Sequence, residues 1–200
     1  MYKIFSVLVK PKYSVDNVVR IFNQCKQHCT RPFEFNVITD RELNLPEIKS
    51  YNLSEYDLDT WWNKMLIFHP MFVSESINLY FDLDIDIRKN IDDMFDQVSD
   101  NILVVDAWWK NEKYFRQVVK NKDAFLNKGN TSIIGWKGDK TFLWNYFYND
   151  FETHTIEHFG DDTFINQYGN VKYFKNNINL SYASDKNTKI AIHHKQVLIP

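Results

Sequence analysis

At 200 residues and a net charge of −2, the chain has the size of one domain, or of two half-domains sharing a core, and is long enough to bury one. No stretch gathers the Lys and Arg surplus that duplex binding needs, which excludes nucleic acid as a macromolecular partner; a nucleotide cofactor needs only a few donors and stays open. Six Trp, eleven Tyr and sixteen Phe exclude a disordered chain and leave rings to line a sugar or base site beyond those the core takes.

The apolar run Ile4-Phe5-Ser6-Val7-Leu8-Val9, ended by Lys10-Pro11, predicts a buried strand. Ser14 caps an amphipathic helix over residues 14–29, with Val15, Val18, Val19 and Phe22 at helical spacing. Residues 33–39 predict a second strand, so the order favours a parallel α/β sheet. Residues 40–59 read as irregular and polar. A short helix starting at Asp59 or Thr60 carries Trp61, Trp62, Met65, Leu66 and Phe68. Residues 77–81 predict a third strand, 88–97 a polar helix, 102–105 a short buried strand, 112–126 a helix, 132–136 a strand and 138–149 an aromatic helix. The Asn-rich last third reads as short strands at 171–174 and 190–193. No repeat, linker or boundary divides residues 1–200, which read as a single domain.

Cys25 and Cys29 share a helix face without a second metal-binding pair, and read as reduced thiols. His28, His69, His154 and His158 show no partner spacing and read as ordinary histidines. No apolar stretch has the length of a transmembrane segment, and no cleavage site follows the apolar run near Met1; a cytoplasmic protein is expected. Heavy Asn, Lys and Ile usage points to an AT-rich genome such as that of a phage or virus.

The third strand runs into Asp82-Leu83-Asp84-Ile85-Asp86. In extended backbone, residues two apart point the same way. Three carboxylates on one face repel, and a divalent cation is the simplest offset. Ligands of open α/β sheets bind outside the carboxyl ends of strands, where oxygen ligands suit Mg or Mn bridging to phosphates. Three other readings stand beside this one. The first is a solvated acidic turn. The second is a calcium loop, against which stand Ile87 at its glycine position and Asp93 at its final glutamate. The third is a haloacid-dehalogenase-like phosphatase, whose metal Gly160-Asp161-Asp162 would serve.

Thr60-Trp61-Trp62-Asn63-Lys64-Met65-Leu66-Ile67-Phe68 followed by Leu79-Tyr80-Phe81-Asp82-Leu83-Asp84 resembles a stretch of bacterial, phage and viral GT-A glycosyltransferases similar to the glycogenin and lipooligosaccharide galactosyltransferase group. Asn130-Thr131-Ser132, Gly160-Asp161-Asp162 and His193 with Pro200 fit the same pattern. Asp162 replaces the usual Gln, and Gln196 and Ile199 stand where the group has Gly and a diphosphate-binding Lys. The resemblance implies a single GT-A domain with a mostly parallel mixed sheet flanked by helices. It implies a nucleotide-sugar donor, UDP-linked, and a glycan or other hydroxyl acceptor. Asp82, Asp84 and His193 would hold Mn2+ or Mg2+. Lys64 would lie near the phosphates, Val9, Lys10, Tyr13 and Asp40 near the nucleotide, and Asn130 and Ser132 on the donor sugar. Asp161 and Asp162 would be the catalytic carboxylates, with retention of configuration. Trp108 and Trp109 are expected as an acceptor platform. A non-catalytic nucleotide-sugar or glycan-binding relative is a further alternative, since the diphosphate lysine is replaced.

Overall fold

A computed structural model of the chain describes residues 1–110 and 128–193. The helix expected over 112–126, and Gln196, Ile199 and Pro200 of the closing motif, lie outside the described residues.

The apolar run at the start forms β1 (Tyr2–Leu8), which lies between β2 (Phe33–Thr39) and β4 (Ile77–Phe81), parallel to both. Both faces of β1 are covered, which is why its sequence is apolar without interruption. Ile4 and Leu8 face one core, Phe5 and Val7 the other. The same alternation runs through β4, where Leu79 and Phe81 join the first core and Tyr80 the second. Strand β3 (Ile48–Asn52) extends the parallel edge beyond β2, pairing Phe35 with Ile48 and Thr39 with Asn52. It falls inside the segment read as irregular. Only Ile48 of its five residues is buried, so the sequence carries no alternation to announce it.

On the other side of β4, β7 (Gly129–Lys137) runs antiparallel, followed by β6 (Ile102–Asp106) and β8 (Val171–Tyr173). The seven-stranded sheet has the order β3-β2-β1-β4-β7-β6-β8. It is mixed and mostly parallel, with helices on its faces, as expected. A register shift between Val104 and Val105 breaks the β6–β7 ladder, where β7 passes through Thr131 and Ser132. A second sheet has the order β5-β10-β9, formed by β5 (Ile85–Ile87), β9 (Ile178–Leu180) and β10 (Ile190–Ile192).

Helix α1 (Val15–His28) buries Val18, Ile21, Phe22 and Cys25 at one-turn spacing against the first core. Ser14 precedes it, its N–H donating to Asn17 Oδ1 at 3.0 Å. Helix α2 (Asp92–Gln97) occupies the end of the predicted polar helix. The segment Thr60–Phe68 is a 3-10 helix, not an α-helix. Every residue from Trp62 to Phe68 is buried, so it has no solvent face to give a 3.6-residue phase. It packs against β1, α3 (Thr141–Asn149) and α5 (Asp161–Tyr168). Between the last two runs α4 (Phe151–Glu157). Helices α4 and α5 correct the reading of the last third as strands alone. Among the described residues, no helix is long and apolar enough to cross a membrane.

Candidate functional site

A cleft of about 280 Å³ opens beyond the carboxyl ends of β1 and β4. Val7, Val9, Lys10, Lys12 and Tyr13 line it from the β1 side, Thr60, Trp61 and Lys64 from the 3-10 helix, and Tyr80 and Asp82 from the β4 side. Five sequence-predicted residues therefore meet here: Val9, Lys10, Tyr13, Lys64 and Asp82. Asp40 stands behind the wall. Its Oδ2 accepts the Lys10 N–H at 2.9 Å and its Oδ1 accepts Arg41 Nε at 2.6 Å. Burial would raise the Asp40 carboxyl, but these bonds outweigh it and hold the group below the usual range. Thr60 adopts the left-handed region (φ 44°) as the chain enters the cleft, a strained conformation for a β-branched residue. Trp61 next to it is about half exposed, and a Cβ on Gly160 would come within 3.3 Å of its indole nitrogen.

Lys64 is buried, and its ammonium joins the two acidic motifs. Nζ lies 2.9 Å from Asp161 Oδ2 and 3.3 Å from Asp82 Oδ1. It also donates to Thr131 Oγ1 at 3.1 Å and to the Thr131 carbonyl at 3.2 Å. Burial alone would drive Lys64 toward the neutral amine. Asp161, Asp82 and Asp162 outweigh that and hold its pKa above the ordinary lysine value. Asp161 and Asp162 open α5, where the helix dipole favours negative charge. Thr131 ties them down: its N–H donates to Asp162 Oδ1 at 2.8 Å, and its hydroxyl meets both carboxylates. Lys110 Nζ lies 2.6 Å from Asp162 Oδ2. The two neighbouring carboxyls are thereby driven apart. Burial, with the Asp162 charge, raises Asp161 despite Lys64. Asp162 is also penalised by burial, but Lys110 and Lys64 pull it below the ordinary carboxylate range.

The acidic run after β4 is compensated by protein cations. Asp82 has Lys64, and its Oδ1 also accepts the Tyr80 hydroxyl at 2.5 Å. Asp84 pairs with Lys12 at 3.0 Å, and Asp86 with Arg20 at 2.7 Å. Repulsion among these carboxylates therefore does not by itself demand a metal. The Tyr13 phenol is raised by burial and by the charges of Asp82 and Asp84, so it stays protonated. As a donor set for Mn or Mg, the carboxylates of Asp82 on the cleft wall and Asp84 two residues on fit. Lys12 is mostly exposed and can yield Asp84 to an ion. His193 N–H donates to the Asp84 carbonyl at 2.9 Å, but its ring is turned onto Asp86, with Nε2 at 2.6 Å from Oδ2. The imidazole would have to leave Asp86 to complete that set.

No protein-family model matches the sequence, and no curated protein matches it. Solved structures do. The galactosyltransferase LgtC, in complex with donor and acceptor sugar analogues, aligns at a TM-score of 0.66 over 96% of this chain and 86% of that one, with 13% identity. An active-site mutant of LgtC gives 0.65, at 12% identity and the same coverage. The glycosyltransferase GlyE of Streptococcus pneumoniae TIGR4 gives 0.58, over 86% of this chain and 45% of that one, at 10% identity. The chain has the GT-A glycosyltransferase fold. At such identities the likeness is one of fold.

Within this GT-A fold several side chains stand apart from their expected surroundings. Ser132 is buried, its N–H donating to Asn130 Oδ1 at 3.0 Å and its carbonyl accepting the Asp82 N–H at 2.9 Å. Asn130 reaches Asp162 only at 3.5 Å. Trp109 is core, which corrects its expected place in an acceptor platform; Trp108 is exposed and donates to Asn179 at 3.0 Å. Sequence reading missed Lys12, Trp61, Lys110 and Thr131 as parts of the site. Lys12 carried a signal, since it lies in the loop at the carboxyl end of the first strand. Lys110 carried none: only the β6–β7 pairing brings it beside Gly129, to whose carbonyl it donates at 2.7 Å.

Proposed function

We propose that the chain is a metal-dependent glycosyltransferase that moves a sugar from a nucleoside-diphosphate sugar, UDP-linked, to a hydroxyl acceptor. The observation that carries this reading is the buried Lys64 ammonium, shared by Asp82 at the cleft and Asp161 on α5. It makes one site of two acidic motifs that are distant in sequence, on a fold shared with LgtC and GlyE.

Asp82 and Asp84, with His193 once released from Asp86, would hold Mn2+ or Mg2+, which offsets charge on a departing diphosphate. Lys10 and Lys12 add positive charge at the rim, where phosphates would lie. The exposed face of Trp61 and the ring of Tyr13 offer stacking surfaces for the base or sugar. Tyr13 stays protonated and can donate. Asn130 and Ser132, both buried on β7, would act on the donor-sugar side. Ionised Asp162 is suited to steady positive charge at the anomeric carbon. Asp161, raised by burial though paired with Lys64, is the candidate base toward the acceptor hydroxyl. Retention of configuration is part of the proposal.

Calorimetric titration with UDP, with and without Mn2+, on wild type and Asp84→Asn tests the reading. Binding that needs Mn2+ and is lost in Asp84→Asn supports it, and a donor screen for UDP release follows. Absence of UDP binding under both conditions removes the UDP donor. Binding without turnover of any donor favours the non-catalytic alternative.

A further inference from the structure

Helix α4 and the residue that ends it carry a second group of metal-ligating side chains. His154, Glu157 and His158 each offer one ligand atom, and the three atoms lie within 4.8 Å of one another. The histidines are one helical turn apart, the His158 N–H donating to the His154 carbonyl at 3.0 Å. Both imidazoles therefore leave the same side of the chain, with ring centroids 5.7 Å apart.

Two observations point to a ligand. His154 is 5% exposed, and its Nδ1 is buried without a hydrogen-bond partner. The rings of Tyr146 and Phe164 pack around it at centroid distances of 4.8 and 5.0 Å. A buried polar nitrogen left this way asks for an explanation, and an ion is one. The second observation fixes the tautomer of His158. Its Nδ1 lies 3.1 Å from the His154 carbonyl oxygen, which can only accept, so Nδ1 carries a proton, and in the neutral ring Nε2 holds the lone pair. A carbonyl on one ring nitrogen is the outer-shell contact that orients a metal-binding histidine. Nε2 in turn faces Gln167 Oε1 at 3.3 Å, while the amide nitrogen of Gln167 donates to the Tyr168 hydroxyl at 3.0 Å. In the neutral ring two acceptors face each other, a contact that a metal ion or a proton at Nε2, or reversal of the amide, would resolve.

We propose that His154, Glu157 and His158 form a binding site for a divalent transition metal of the zinc class, separate from any Mn2+ or Mg2+ at Asp82 and Asp84. Two imidazoles and one carboxylate select zinc, cobalt or nickel over the harder oxygen-seeking ions. Glu157 is exposed and can close onto an ion held by the two buried rings. Three protein ligands leave a fourth position for water. The site lies just before Gly160, where α5 begins with Asp161 and Asp162. Metal binding would therefore restrain the segment that presents both carboxylates.

The test titrates the full-length, metal-stripped protein with Co2+, read by visible absorption, with Zn2+ as competitor. One equivalent of Co2+ is expected to give the bands of a low-coordinate site, displaced by Zn2+ and not by Mg2+. Glu157→Gln keeps the exposed side chain's shape and should leave the circular dichroism unchanged while weakening Co2+ binding by at least the roughly 10-fold that loss of an outer-shell partner costs; His158→Gln should weaken it further. Asp84→Asn should leave it unchanged. Absence of the bands, equal binding in wild type and Glu157→Gln, or loss in Asp84→Asn instead would each overturn the assignment.

Discussion

The ammonium of Lys64 stands 2.9 Å from Oδ2 of Asp161, with both side chains less than a tenth exposed. Removing one partner of a buried pair leaves an uncompensated charge, a loss of about 3–5 kcal/mol. Lys64→Met should therefore destabilise the fold by that order in urea denaturation at pH 7. Lys64→Met with Asp161→Asn should recover part of the loss, because the stranded carboxylate is gone. A Lys64→Met variant as stable as wild type would mean that the pair is not buried in solution.

Asp162 sets a pH dependence. Its folded-state carboxyl is held below the ordinary range, with Lys110 and Lys64 overcoming the burial penalty. The ionised form therefore stabilises the fold above about pH 4, the unfolded value, and the contribution is lost as pH falls through the lowered one. Asp161, raised by burial, works in the opposite direction. Asp162→Asn should be less stable than wild type by about 1.5–3 kcal/mol at pH 7, the worth of charged hydrogen bonds. The gap should narrow progressively as pH falls below about 4. Denaturation series at several pH values measure it, and a gap independent of pH would contradict the lowered carboxyl.

These features differ in how far the sequence announces them. β1 and β4 are buried on both faces, so their runs were readable, and Asp82 at the end of β4 followed from strand geometry. β3 was not readable, because an edge strand with one buried residue looks like a polar loop. The short helix from Thr60 was readable, but its 3-10 form was not, because a segment buried on every side carries no phase. Lys64 was placed near the phosphates by resemblance alone. Its burial depends on Asp82 and Asp161, which only the assembled sheet and α5 bring to it. His193 was expected beside Asp82 and Asp84 by resemblance; its backbone is beside Asp84, but the ring takes Asp86.

Lys12 competes with any cation for Asp84. Their ion pair is 3.0 Å long, and the lysine side chain is 63% exposed. Exposed pairs contribute about 0.2–1 kcal/mol. Lys12→Ala should thus tighten Mn2+ binding in the absence of nucleotide by up to about fivefold. With UDP present the change should reverse, because a positive charge at the rim is lost. Calorimetry with Mn2+ alone and then with UDP separates the two effects. Mn2+ binding indifferent to Lys12→Ala would place the ion away from Asp84.

Trp61 offers the most exposed ring of the cleft, over Gly160 and next to the strained Thr60. With half its surface in solvent, truncation should change stability by less than about 0.5 kcal/mol. If a base or sugar stacks on it, Trp61→Ala removes about 1–3 kcal/mol of binding, or roughly 5- to 150-fold in affinity for UDP with Mn2+. Trp61→Phe should retain most of the affinity, since a ring face remains. The contrast separates stacking from bulk: equal losses in Trp61→Ala and Trp61→Phe would assign the effect to the indole N–H, and no loss in either would move the stacking surface to Tyr13. Thermal melts of both variants, run beside the titrations, establish that any loss belongs to the cleft and not to the fold.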